Sequence, residues 1–217
     1  TIRRALLSET YGFAVTQVQI NQVENEFEQA SFLREDTLEF LLNIKQVLLK
    51  PAESFFKKME KKNIEYKNVT KIKGPLIVTA GMLSLPKELI VLNPSQYICT
   101  ITNNSELNLV LTIKYDKSYE LVENAEKENF FEKTFKNEGF ALDLDCFFVP
   151  VKKVNYKIKT IRDTFGNLKE SLVIEIVTNG TITPKKAFLE SINACLKNFY
   201  NIFVNSLNLK TLKKNIK

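Results

Sequence analysis

The sequence predicts an α+β fold, and three observations carry that reading. Between residues 74 and 114 short β-branched runs recur, separated by glycine, proline and paired asparagines, which is the pattern of a sheet. Two stretches, one opening at Asp36 and one at Thr183-Pro184, space their apolar residues at helical rather than alternating intervals. Finally, Ser-Leu-Val-Ile-Glu-Ile-Val-Thr at residues 171–178 leads through the tight-turn pair Asn179-Gly180 straight into the second of those helices.

Residues 2–9 read as the end of a helix, with Ile2, Leu6 and Leu7 on one side, the paired arginines beside them, and Gly12 as its stop. Residues 13–23 alternate as a strand in which Val15, Val18 and Ile20 are nearly in period, and Asn21-Gln22 supplies a polar turn. Asp36-Thr37-Leu38-Glu39 has capping-box spacing with Asp in the Ser/Thr place. Leu38, Leu41, Leu42, Lys45, Leu48 and Leu49 then extend that helix until Lys50-Pro51 ends it.

Residues 55–73 are dense in lysine around an expected hairpin; mixed with glutamate, they read first as a solvated face. Strands follow at 76–78, 89–92, 97–101 and 107–113. The charged stretch 118–139 is weakly patterned and is expected to be a long connection with short helices. Apolar structure restarts at Phe147-Phe148-Val149-Pro150-Val151, residues 153–159 alternate as a strand, and residues 163–167 with Gly166 turn the chain back into the strand at Ser171.

In the last helix Phe188, Leu189, Ile192, Cys195, Leu196, Phe199, Tyr200, Ile202 and Phe203 share an arc of roughly 160°, wider than the ~100° stripe of a one-sided helix. Such a helix calls for more than one apolar neighbour. Lys185 and Lys186 sit in its first turn, where the helix dipole disfavours cations. Beyond it, residues 210–217 are basic and are expected to fray.

Composition narrows the chemistry. The 217 residues are 44% hydrophobic with a formal charge of +6, carried mainly by lysine; arginine occurs only at Arg3, Arg4, Arg34 and Arg162. No run approaches the ~20 apolar residues of a membrane span, so no membrane association is expected. The sequence starts at Thr1 without a charged-then-apolar leader, so secretion is not expected and the front of the chain reads as clipped. Cys99, Cys146 and Cys195 are odd in number and lie in apolar contexts, which suits free buried thiols in a reducing compartment and suggests no metal site. The absence of histidine removes Ser-His-Asp and Cys-His nucleophile activation. The excess of Lys, Asn, Ile and Phe is what an AT-rich genome encodes.

Several motifs then fall in one order: Arg3-Arg4-Ala5-Leu6-Leu7-Ser8; Ala14-Val15-Thr16; Arg34-Glu35-Asp36-Thr37-Leu38-Glu39 with Leu41-Leu42-Asn43-Ile44-Lys45; Lys73-Gly74-Pro75 with Val78-Thr79-Ala80; Asn93-Pro94-Ser95-Gln96; residues 151–156; and Asn179-Gly180-Thr181-Ile182-Thr183-Pro184. Together they resemble the N-terminal domain of the bacterial and plastid RNA polymerase alpha subunit, over nearly the whole chain.

The resemblance implies two interleaved subdomains. Residues 1–11 with 150–217 would form a helix-plus-sheet dimerisation subdomain, and residues 12–149 an inserted β-rich subdomain contacting the large polymerase subunits. It implies a non-catalytic part of a nucleotidyltransferase, DNA-directed RNA polymerase: a dimer with a second alpha subunit that scaffolds the beta and beta-prime subunits. Mg and Zn are expected only in those large subunits, no catalytic residue in this chain, and DNA is met only indirectly through the complex. By the same resemblance Arg3, Arg4, Leu7 and Lys45 fall at large-subunit-binding positions.

Phe188, Ile192, Cys195, Phe199 and Phe203 are the expected dimer face. Arg4 suits an interface because a planar guanidinium makes paired bonds to carboxylate or carbonyl groups; from sequence alone it is equally a surface arginine, and without the resemblance Lys45 reads better as a plain solvated lysine of its helix. The plastid (chloroplast stroma or nucleoid) is the expected location, with the cytoplasm of an AT-rich bacterium as the alternative. Relatives usually begin about forty residues earlier. Met82 stands where an acidic residue is usual, Asp116-Lys117-Ser118-Tyr119 replaces a Gly-Arg-Gly-Tyr-like stretch, and no C-terminal DNA-binding domain is expected in this chain.

Two other classes compete. Asp143-Leu144-Asp145 could pair carboxylates for catalysis, although i and i+2 side chains of a strand share one face and no phosphate loop or histidine accompanies them. Phe55-Phe56-Lys57-Lys58 and the basic tail could stack bases and neutralise phosphates, as in a nucleic-acid-binding module outside any polymerase.

Overall fold

Alternation along residues 13–20 and 107–113 builds the two central strands of an antiparallel sheet. In the computed structural model, which describes residues 1–21, 23, 25–52, 64–121 and 141–214, with side chains as far as residue 204, strand β1 (Tyr11–Ile20) pairs with the later strand Glu106–Lys117. The helix α1 (Ile2–Ser8) ends before Gly12, which is a residue of β1 and not the stop for α1. A bulge between Val15 and Gln17 explains the imperfect period of β1. Phe13 and Val15 face inward before it, Val18 and Ile20 after it, because one extra residue exchanges the two faces of a strand. The extra residue, Thr16, is buried, its hydroxyl donating to the Thr112 carbonyl at 3.3 Å.

Two compact units make up the chain: Tyr11–Phe148, and Thr1–Thr10 with Val149–Lys217. In the first, the helix α2 (Thr37–Lys45) is followed by the strands β2 (Leu49–Pro51), β3 (Ile64–Lys73), β4 (Leu76–Thr79), β5 (Leu89–Val91), β6 (Tyr97–Ile101), β7 (Glu106–Lys117), β8 (Tyr119–Glu120), β9 (Leu142–Asp143) and β10 (Cys146–Phe147). The main sheet has the order β3-β7-β1-β9, and β2-β5, β4-β6 and β10-β8 form two-stranded pairs. Every second residue of β7 from Leu107 to Ile113 is fully buried, which anchors the core with Phe40, Ile44, Ile98 and Ile101. The helix expected to run to Leu49 stops at Lys45, because Leu49, Lys50 and Pro51 pair instead with Val91, Ile90 and Leu89. The lysine-dense stretch before residue 64 and the connection after residue 121 lie outside the described residues.

The second unit comprises α1, the hairpin β11 (Val151–Arg162) and β12 (Leu168–Thr178), and the helix α3 (Pro184–Lys214). The hairpin pairs from Val151 with Thr178 to Arg162 with Leu168. Its turn closes through the Gly166 and Asp163 amides, which donate to Asp163 and Asn167 carbonyls, with Gly166 at φ +79°. Leu6, Val151, Val154 and Ala187 form a small core against which Ile174, Ile176 and Phe188 pack. The tail expected to fray continues as helix to Lys214, so α3 spans 31 residues, about 46 Å at 1.5 Å per residue. No helix among the described residues is long and apolar enough to cross a membrane.

Candidate functional site

Helix α2 carries the first surface. Its inward face is Phe40, Leu41 and Ile44, and the opposite stripe of Leu38, Leu42 and Lys45, spaced i, i+4 and i+7, is exposed, Leu42 by 60%. Leu38 and Leu42, expected among the residues that bury the helix, therefore face solvent. Glu39 in the first turn and Lys45 in the last both suit the helix dipole. Lys45 is more than a solvated lysine: its ammonium stands 5.5 Å from the centre of the Phe147 ring, a cation–π distance. Phe147 is 67% exposed and tilts against Tyr119, 6.3 Å between ring centres, because the short β8–β10 ladder sets the two directly opposite. An apolar and cationic patch of Leu38, Leu42, Lys45, Phe147 and Tyr119 results. Sequence reasoning reached only Lys45; Phe147 and Tyr119 come from distant segments whose pairing no local pattern reveals.

The second surface is in the other unit. Arg3, Arg4 and Leu7 lie on the outer side of α1, with Leu6 buried beneath them. They share the rim of a groove of about 820 Å³ whose walls include Tyr156, Ile158, Leu172 and Ile174 of the hairpin. The Arg3 and Arg4 side chains have no ion-pair partner among the described residues, so both guanidinium groups are available to a ligand or another chain. Lys45 belongs to the other unit and is not part of this rim.

The third surface is the long face of α3. The helix seats on its own unit through small residues, Ala187 and Ser191, both fully buried, with the Ser191 hydroxyl donating to the Phe188 carbonyl at 2.7 Å. Phe188, Ile192 and Cys195 are half-buried, whereas Phe199 and Phe203 are exposed, along with Leu189, Leu196, Tyr200 and Ile202. The wide apolar arc thus splits into a short inner part and a long outer part. At its start Lys186 and Glu190 stand four residues apart. Burial pushes the Lys186 amine down and the Glu190 carboxyl up, and each charge partly restores the other.

Other sequence candidates end in structural roles. Asp143 accepts a 2.7 Å bond from the Gln17 amide where β9 meets β1. Burial pushes the Cys99 and Cys146 thiols up to about 12, as expected of inert core cysteines. Among the described residues no group of three or more His, Cys, Asp or Glu is placed to hold a metal ion. Phe55 to Lys58 lie outside the described residues.

Comparison with known proteins decides the family. Residues 18–140, more than half of the chain, match the model for the RNA polymerase Rpb3/RpoA insert domain. The chain belongs to this family. Its similarity to polymerase subunits extends beyond the insert domain: the DNA-directed RNA polymerase subunit alpha of Thalassiosira pseudonana is 33% identical over 216 residues, 100% of this chain and 63% of its own length. The subunit alpha of Rhodomonas salina is 39% identical over 186 residues, covering 86% of this chain and 54% of its own length. That of Guillardia theta is 37% identical over 202 residues, 93% and 57% respectively. This Rpb3/RpoA-family chain therefore spans little more than half to under two thirds of the length of these relatives. Matches of this kind leave the nucleic-acid module outside a polymerase without support.

Proposed function

We propose that the chain is the non-catalytic alpha subunit of a multisubunit DNA-directed RNA polymerase, a dimerising scaffold on which the beta and beta-prime subunits assemble. The observation that carries this reading is the 33% identity to a polymerase subunit alpha along the whole of the chain. The surfaces suit the role. The outer part of the α3 arc, with Phe199 and Phe203 beyond Phe188, Ile192 and Cys195, is the face offered to a second copy; burying such side chains is worth about 1.5–3 kcal/mol each. Arg3, Arg4 and Leu7 on α1 are assigned to one large subunit, and Lys45 with its leucine stripe and aromatic neighbours to large-subunit contact in the inserted unit. Residues 1–11 with 150–217 act as the dimerisation subdomain and residues 12–149 as the large-subunit-contacting one. Catalysis, with its Mg and Zn, belongs to the large subunits, and DNA is reached through them. The algal relatives favour a plastid enzyme.

The test is affinity purification of the tagged chain from its native source. Two very large polypeptides should co-purify in stoichiometric amounts with RNA-synthesising activity that the isolated chain lacks. Recovery of the chain with no large partner would overturn the reading.

A further inference from the structure

We infer that Glu35 is a positioning residue that fixes how α2 presents its outer stripe to the large subunits, an inference that rests on the assembly role proposed above. The glutamate immediately precedes the helix. Its side chain is only 2% exposed, and both of its oxygens are used: one accepts the Thr100 amide at 2.7 Å and the other accepts the Tyr97 hydroxyl, which lies 2.7 Å from the Thr100 hydroxyl. Arg34, 74% exposed, brings its Nε to 3.6 Å from the same carboxylate. A buried carboxylate is costly unless fully bonded, and once fully bonded it tolerates few geometries.

Three features make this a clamp on α2 and not general core packing. First, Asp36 at the N-cap makes no side-chain capping bond, so the helix start is not held by the usual device. Secondly, the segment before it is laid against β6: the Thr102 amide donates to the Phe32 carbonyl, Leu33 bridges Ile101, and the Arg34 amide donates to the Thr100 carbonyl. Glu35 is the last tie before the chain turns into the helix.

Thirdly, the ties at the far end of α2 run to the same region, while at its start the Thr37 hydroxyl donates to the Glu28 carbonyl of the preceding segment. The Asn43 amide donates to the Ile98 carbonyl at 3.0 Å, and Gln46 is held by Asn93 and Gln96. Successive helical residues point 100° apart, so the tie at Glu35 sets which residues face out. Phe40, Leu41 and Ile44 go in; Leu38, Leu42 and Lys45 go out.

The experiment compares Glu35→Ala, the milder Tyr97→Phe and the surface control Leu42→Asp in the full chain co-produced with the two large subunits. Capture of the large subunits is read by pull-down, and backbone hydrogen exchange is read on the chain alone. For Glu35→Ala, exchange should accelerate about tenfold or more at Thr100 and in the first turn of α2 while the centre of β7 stays protected, and capture should weaken about tenfold. Tyr97→Phe, which keeps the carboxylate, should show the same local pattern with about a threefold loss of capture.

Normal capture by both Glu35→Ala and Tyr97→Phe, with Leu42→Asp impaired, would overturn the positioning role and leave the docking face standing. Normal capture by all three would overturn the docking face and the positioning role with it. Uniformly faster exchange through β7 would overturn positioning in favour of general stabilisation.

Discussion

At Gly74 there is no room for a methyl group: a Cβ there would meet Ile101 Cγ2 at 2.3 Å and the Asn103 carbonyl oxygen at 2.5 Å. One of those contacts is backbone, and Ile101 is itself fully buried, so neither neighbour can yield cheaply. Gly74→Ala is therefore expected to destabilise the inserted unit by about 1–3 kcal/mol, measurable as a lower urea midpoint with unchanged slope. Gly166 differs in kind, since open space surrounds it and only its φ of +79° calls for glycine. Ser118 holds a left-handed φ of 66° between β7 and β8. That conformation costs a non-glycine residue about 1–2 kcal/mol. The Ser118 carbonyl nonetheless anchors the Phe148 amide at 3.1 Å, which helps bring β10 beside β8 and so Phe147 beside Lys45.

At the scale of the element, α3 resolves the conflict in its first turn by tertiary means. Lys186 is opposed to the dipole but has Glu190 one turn on, and the pair is held in a partly buried site. Burial keeps the Glu190 carboxyl above the ordinary glutamate range, so the folded chain retains a proton that the unfolded chain has released. Its contribution to stability is full below the unfolded pKa and is lost as pH rises through the folded one. Glu190→Gln should remove that loss. Its thermal midpoint should exceed that of the natural chain at pH 7, and the difference should shrink as pH falls towards 4. A pH-independent difference, or none, would contradict the assignment. Helix α2 shows the reverse case. Leu48 and Leu49 continue its helical spacing, yet pairing with β5 takes Leu49 into a strand, because strand partners from forty residues away compete with local periodicity.

For the whole molecule, the proposed assembly separates two kinds of variant. Phe199 is 63% exposed in the single chain, so Phe199→Lys should leave the fold intact, with an unchanged circular dichroism spectrum, while abolishing the dimer in light scattering and, with it, entry into the polymerase. Arg4→Ala should keep the dimer but weaken capture of the beta subunit by about tenfold or more, as removal of an interface arginine anchor does. A dimer from the first variant, or full capture by the second, would remove that residue from the assigned surface. The two variants act in the same compact unit, the one built from both ends of the chain, through different helices.

Much of this architecture was legible in the residues. The spacing of β-branched runs, the Asn179-Gly180 turn and the helical periodicity after Pro184 determine local structure because steric and hydrogen-bonding preferences act over a few residues. The family was legible too, since ordered motifs survive along the chain. What only the tertiary structure decided depends on contacts between distant segments. It placed Phe147 under Lys45, turned Leu38 and Leu42 outward, buried Glu35 between Tyr97 and the Thr100 amide, and assigned the inner seat of α3 to Ala187 and Ser191 while leaving its aromatics exposed. Those outcomes follow from which surfaces find partners on folding, a competition over the whole chain that no local pattern encodes.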